Sequence, residues 1–219
     1  MMDLLNRSFY RETVQDSGTA DGKAIRQQGG QGVYAHVRVT VRALKRGQGT
    51  VFAWNAGSNI PSQFATAVME GIGQITDAGV LAGLEMTDIH ISVDDGSYHD
   101  VDSNADAFRE AAATAVTEAI RQAHPLILEA ISLVTVTLPE KFAHSVEAIL
   151  NSHGQLVRAT PSEASHKVLA AHVPTIDVNK LIVEVLQISK GAAGISSASA
   201  GFRSRPEPPD TVEQWVVRS

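Results

Sequence analysis

Asp94-Asp95-Gly96-Ser97-Tyr98-His99-Asp100-Val101-Asp102-Ser103 divides two contrasting patterns in the chain. Before it, Met86 to Val93 alternates: Thr87, Ile89, Ile91 and Val93 point one way, Asp88, His90 and Ser92 the other. A period of two with one apolar face predicts a half-buried strand. After it, Phe108, Ala111, Ala112, Ala115, Val116 and Ala119 recur at helical spacing and predict one buried stripe. The Asp, Gly, Ser, Tyr and His residues between bond well to water and bury badly, so the whole stretch is expected to be an exposed tip between strand and helix.

Toward the N-terminus, residues 1–32 read as polar and turn-rich. Val33 to Leu44 then alternates without a break. Val33, Ala35, Val37, Val39, Val41 and Ala43 form its apolar face, and Tyr34, His36, Arg38, Thr40 and Arg42 a wet, locally basic one. Arg46-Gly47-Gln48-Gly49 reads as a hairpin turn, returning the chain as a strand at Thr50 to Trp54. Asn59-Ile60-Pro61 opens a helix that buries Phe64, Ala67, Val68, Ile72 and Ile75 and weakens near Gly79 to Gly83. Ser103 or Asn104 is placed to cap the helix after the tip, with Asp106 in its first turn.

Toward the C-terminus, His124-Pro125 marks a domain boundary, because a residue before proline is biased away from helix. Beyond it the periodicities run strand (Ala130 to Leu138), helix (Pro139 to Ser152), strand (Gln155 to Ala159), strand (Lys167 to Val173), helix (Asp177 to Lys190) and strand (Ile195 to Phe202). This βαββαβ order suits a ferredoxin-like sandwich. Pro206 to Pro209 reads as a linker, and Asp210 as the cap of a last helical turn carrying Val212, Trp215 and Val216. The class is therefore α+β with two domains, 1–124 and 125–205, followed by a linker and short helix in 206–219.

Cysteine is absent from all 219 residues, which excludes disulfides, thiol catalysis and cysteine-ligated zinc. No apolar run is long enough to span a bilayer, and Met1 to Arg11 lacks a signal-type apolar segment, so a cytoplasmic protein is expected. Residues 1–124 carry 10 Lys and Arg against 15 Asp and Glu, and residues 125–219 carry 8 against 9. Neither half is a basic nucleic-acid binder in bulk, so any such contact rests on local groups.

Several segments resemble one family. Gly96-Ser97-Tyr98-His99-Asp100-Val101-Asp102-Ser103 closely resembles a loop at the far tip of the fourth domain of elongation factor G and of the tetracycline-resistance ribosomal protection proteins. Tyr10-Arg11-Glu12-Thr13 resembles the YRET segment that opens that domain, and Gln28 to Val37 its GGRGQYGHV segment. Nearly the whole chain is covered, and the GTPase and everything else before the fourth domain has no counterpart.

The resemblance implies an S5-like first domain with a left-handed βαβ crossover and a ferredoxin-like fifth domain. It implies a ribosome-binding module of a translational GTPase whose tip loops probe the decoding centre during tRNA and mRNA translocation. The RNA-contacting residues would be Gln28, Gly29, Gly30, Gln31 and Gly32 in one loop and Ser97, Tyr98, His99 and Asp100 in the other. A tip histidine can stack on a base or donate to a phosphate or 2′-hydroxyl without any proton-transfer role. Partners would be 16S and 23S rRNA, tRNA and mRNA, bound by a monomer with no membrane contact. No catalytic residue, metal or cofactor is expected in this chain, since GTP and magnesium belong to the family's GTPase domain. Departures from the family pattern are Gln31 in place of Arg, Ala35 in place of Gly, and the loss of two arginine-bearing segments of the fifth domain, where Asn151 to Gln155 and Ser189 to Gly194 stand instead. His153, Arg158 and Lys190 are the weak substitutes that remain for rRNA contact there.

The same residues invite other chemistries. Asp100, Asp102, Asn104 and Asp106 imitate the start of a calcium loop, but Ala105 and Ala111 stand where that loop needs glycine and a bidentate glutamate. Gly18 to Ala24 looks like a phosphate-binding loop but is one residue short and lacks the Ser or Thr. No GxSxG elbow supports a Ser/His/Asp hydrolase, and a sheet-face role for His36, His90 and His172 is simpler. The alternatives carried forward are a fragment of a ribosomal protection protein and a small metal-dependent enzyme using His99, Asp100 and Asp102.

Overall fold

The computed structural model describes residues 4–28, 31–162 and 165–205. They form two compact units: Tyr10–Ile127, and Leu128 onward together with the 3-10 turn Leu4–Phe9. The linker and terminal helix expected in 206–219 lie outside the described residues. Both units are mixed α and β, as the sequence pattern predicts.

The first unit contains β1 (Tyr10–Val14), β2 (Ser17–Gln28), β3 (Gln31–Ala43), β4 (Thr50–Trp54), α1 (Ala65–Ala78), β5 (Ile89–Ser97) and α2 (Ala105–Gln122). Its four-stranded sheet has the order β2-β3-β5-β4. β3 is antiparallel to both neighbours, and β4 lies parallel to β5, with α1 as the crossover between them. The alternation of β3 decides what is wet. Val37, Val39 and Val41 are buried under the helices with Ile89, Ile91 and Val93 of β5. Phe64 and Phe108 stack there with ring centroids 4.7 Å apart.

The polar, turn-rich reading of residues 1–32 is corrected: most of that stretch is β1 and the long strand β2. β2 shows no run of large apolar residues because α2 lies directly upon it. A Cβ on Gly22 would stand 1.9 Å from the Ala111 carbonyl oxygen, and one on Gly18 would stand 2.1 Å from that of Ala119. Only glycine fits at those two points, and alanine suffices at the buried Ala20 and Ala24. The resemblance of Gly18 to Ala24 to a phosphate loop therefore has a packing cause.

The hairpin expected at Arg46 to Gly49 is also absent. β5 inserts between β3 and β4, so the two strands flanking the turn are not partners. Gly47 and Gly49 take φ of +85° and +68°, which glycine alone adopts without strain. A third correction concerns the tip. β5 runs on to Ser97, and Asp94 is an extra residue in a bulge, since Arg38 pairs with Asp95 and Val39 with Val93. Gly96 is covered, because a Cβ there would meet Ile60 Cγ1 at 2.5 Å. The free loop thus begins at Tyr98 rather than Asp94.

Glu12 is fully buried, and its position holds an irregular segment in place. Its carboxylate accepts from the backbone N–H groups of Val80 (2.6 Å), Leu81 (2.9 Å), Ala82 (2.8 Å) and Leu84 (3.2 Å). Those donors belong to the connection after α1, where Gly79 turns the chain at φ +67°. Without Glu12 these four donors would lose their shared acceptor, the Leu84 N–H in a buried setting.

In the second unit β6 (Pro125–Pro139), α3 (Ala143–His153), β7 (Gln155–Ser162), β8 (His166–Pro174), α4 (Val178–Ile188) and β9 (Gly194–Ser204) follow the expected order. The pairings run β7-β8-β6-β9, all antiparallel, which is the ferredoxin-like arrangement. Val134, Val136 and Leu138 of β6 meet Val146 and Leu150 of α3 and Leu181 and Val185 of α4. Among the described residues no helix is long and apolar enough to cross a membrane.

Candidate nucleic-acid interface

The two segments singled out in the sequence meet at one end of the first unit. Loop Tyr98–Ser103 is fastened to the start of β3. The Tyr34 backbone N–H donates to Asp102 O at 2.9 Å, and Ser103 Oγ donates to Tyr34 O at 2.7 Å. Inside the loop His99 N donates to Ser103 Oγ at 2.9 Å, and Ser103 N donates to His99 O at 3.1 Å. Gly32 lies so close to the Asp102 carboxylate that a Cβ would stand 2.5 Å from its Cγ. Asn104 then caps α2, accepting from Ala107 N at 2.9 Å; of the two cap candidates, Asn104 is the one used.

The turn on the β2–β3 side is less fully described. Gln28 and Gln31 are backbone partners at the end of the ladder, and Gly29 and Gly30 fall outside the described residues. Gln27, Gly32 and Asp102 contribute to a shallow hollow beside exposed Ile25.

The loop presents its side chains outward. Val101 is 84% exposed and Tyr98 45%. The His99 side chain is 59% exposed, and its Nδ1 lies 3.2 Å from Asp102 Oδ2. That pairing orients the ring, while Nε2 has no partner among the described residues. Asp100 is exposed. An oriented imidazole beside an exposed phenol, on a loop braced by its own backbone, suits stacking and hydrogen bonding to an unpaired nucleotide. Three of the four residues that imitate a calcium loop are otherwise engaged: Asp102 with His99, Asn104 as a cap and Asp106 with Arg109.

A polar relay beneath the loop was not foreseen. Asp21 takes both Arg38 Nε (3.0 Å) and Nη2 (3.1 Å) and stands 2.7 Å from His36 Nε2. His36 Nδ1 is 3.4 Å from Ser97 Oγ, which is 2.8 Å from the Tyr34 hydroxyl. The trio Asp21, His36 and Ser97 has the membership of a hydrolase triad but not its set-up. Arg38 neutralises the acid, and the serine hydroxyl is tied to Tyr34. Its work is to brace the root of the loop across β2, β3 and β5. The only sequence signal for it was the alternation of polar residues along the wet faces of β2 and β3.

The Arg38 hydrogen bonds, and secondarily the one from His36, lower the Asp21 carboxyl to about 2. Asp95 is lowered too, by the Asn59 side chain first and by Gly96 N–H. Burial pushes Asp94 up, but hydrogen bonds from Thr40, Asn55 and Ser92 outweigh it and leave it lowered. Because Asp21 is depressed in the fold, its contribution is complete above the ordinary carboxylate value and is lost as pH falls toward 2. Carboxyl NMR titration of Arg38→Gln should show Asp21 moving back toward 3.8. A curve unchanged by Arg38→Gln would contradict the assignment of cause.

In the second unit, His153 is corrected as an RNA ligand. Its side chain is only 10% exposed and its Nε2 sits 2.9 Å from Glu184 Oε2, an internal pair between α3 and α4. Arg158 on β7 and Lys190 just after α4 are exposed, as a backbone contact would need.

Comparison with known proteins follows the same divisions. Residues 9–124 match the family model "Elongation factor G, domain IV". The chain is 35% identical over 202 residues to elongation factor G of Dehalococcoides mccartyi strain CBDB1, covering 91% of this chain and 29% of that protein. It is 35% identical over 201 residues to elongation factor G of Thermotoga neapolitana, covering 90% and 29% respectively. A crystal structure of a Thermus thermophilus protein superposes with a TM-score of 0.79 at 30% identity, covering 90% of this chain and 30% of that one. The chain thus spans less than a third of the length of the relatives it matches. With the domain IV match over more than half its residues and this identity over nine-tenths of them, the chain belongs to the elongation factor G family of translation factors.

Proposed function

We propose that this chain is a ribosome-contacting module of the translation machinery, working in the cytoplasm, whose braced tip enters the decoding centre and holds tRNA and mRNA during translocation. The observation that carries this reading is the joining of two sequence-distant polar segments at one end, with His99, Tyr98 and Val101 directed away from the body. Phosphate and 2′-hydroxyl groups are natural partners for such a surface, and stacking on Tyr98 or His99 needs no net positive charge. Arg158 and Lys190 supply backbone contacts to large-subunit rRNA from the second unit. The module itself catalyses no reaction and carries no cofactor or metal; GTP hydrolysis belongs to the part of the relatives that this chain does not match. It acts as a monomer.

Co-sedimentation with 70S ribosomes at about 50 and 200 mM salt tests this. Wild-type chain should pellet with ribosomes at the lower salt, and His99→Ala should reduce the pelleted fraction severalfold while leaving the fold intact by circular dichroism. Absence of wild-type binding at low salt would overturn the proposal.

A further inference from the structure

From Gly22 to Met69 the sequence holds six cationic side chains and no Asp or Glu, within a chain of net charge −6. Two of the six are committed: Arg26 pairs with Glu110, and Arg38 with Asp21. Arg42 is different. It lies on the wet face of β3, between Ser17 of β2 and His90 of β5, exposed and with no ion pair among the described residues. Lys45 follows in the turn after β3, exposed, with an ammonium that also has no partner among them. Arg46 reaches only to 3.9 Å from Asp88, whose carboxylate is buried and also accepts from Gly49 N at 2.9 Å. The other acids of this face are occupied further along, Asp94 by Asn55 and Asp95 by Asn59.

These cations stand at the end of the sheet face remote from the tip. Tyr34 and Arg42 are eight residues apart on one strand, roughly 27 Å at the rise of an extended chain. The Cα atoms of Arg42 and Lys45, three residues apart in the chain, lie within about 11 Å of each other. Val51, 42% exposed, stands in the same row beyond His90, while the Arg42 guanidinium and Lys45 ammonium, unpaired among the described residues, match a run of phosphates.

We propose that Arg42, Lys45 and Arg46 form a second RNA contact, gripping a sugar–phosphate backbone on the open face of the first unit's sheet well away from the tip. The inference rests on the ribosomal reading above for its biological setting, and for its chemistry on the unpaired Arg42 and Lys45 beside the long Arg46–Asp88 pair. It makes the sheet face a track that fixes the angle at which the tip approaches RNA, positioning without reading sequence.

The test uses the full chain and a fluorescein-labelled RNA hairpin with a duplex stem, followed by anisotropy across a salt series. Arg42→Gln with Lys45→Gln should weaken binding about tenfold at low salt and flatten the slope of log affinity against log salt by about two. The charge-matched pair Arg121→Gln with Lys180→Gln, on exposed helix positions, should leave the slope unchanged. Equal losses from both pairs, no binding of the hairpin, or equal competition by a glutamate-rich peptide would overturn the inference. The ribosome experiment is read separately. A chain that sediments with ribosomes but ignores the hairpin keeps the ribosomal reading and loses this one; a chain that grips the hairpin through Arg42 and Lys45 but never sediments does the reverse.

Discussion

Glu12→Ala should largely unfold the first unit at 37 °C. Four backbone N–H groups, three of them part-buried on Val80, Leu81 and Ala82 and one buried on Leu84, converge on this one carboxylate. A hydrogen bond to a charged group contributes about 1.5–3 kcal/mol, and a donor left buried without a partner costs a similar amount. The four terms share one acceptor and are not additive, so about 4 kcal/mol is expected, a large fraction of the 5–15 kcal/mol of a typical domain. Glu12→Gln keeps one acceptor oxygen and should cost about half as much, near 2 kcal/mol. Urea unfolding followed through the first unit's amide NMR signals measures both. Glu12→Ala within 1 kcal/mol of wild type would contradict the anchoring role.

Gly22→Ala should cost about 3 kcal/mol, although alanine is the smallest possible addition. The new Cβ would sit 1.9 Å from Ala111 O and 2.6 Å from Ala115 N, both backbone atoms of α2 that no rotamer change can move. Either α2 lifts from β2 or β2 bends, and overpacking of this kind costs about 1–3 kcal/mol, more where backbone must yield. The same substitution at Gly73, within α1, should act oppositely. Nothing lies within 4 Å of a Cβ there, so Gly73→Ala should stabilise by up to about 1 kcal/mol through helix propensity. Equal effects at the two sites would show that α2 does not rest on the glycines of β2.

These two sites also mark where sequence reading stopped. β3, β5 and α2 were legible because large apolar residues repeat at clear periods, and the ferredoxin-like unit was legible for the same reason. β2 was not, because its core face is written in Gly18, Ala20, Gly22 and Ala24, residues that read as turn or neutral when no helix is known to press on them. The parallel placement of β4 against β5 could not be read from Arg46 to Gly49, since a glycine-rich turn looks alike whether the strands it joins pair or not. At the candidate interface, resemblance supplied His99 and Gly32. The brace of Asp102, Ser103 and Tyr34 and the relay from Asp21 to Ser97 depend on register between strands distant in sequence. His153 was misread because a helix-end histidine looks free until its partner, Glu184 on another helix, is placed beside it.

Where the tip goes on the ribosome decides whether this chain works at the decoding centre. The chain has no cysteine, and Val101 is 84% exposed at the tip, so Val101→Cys gives a single attachment point for a tethered Fe(II)–EDTA probe. With labelled chain bound to 70S ribosomes, radical cleavage should concentrate in the small-subunit rRNA strands of the decoding centre, and a probe at Lys180→Cys on α4 should leave those strands uncut. Cleavage from Val101→Cys that spares the decoding centre while the chain remains bound would contradict a role there.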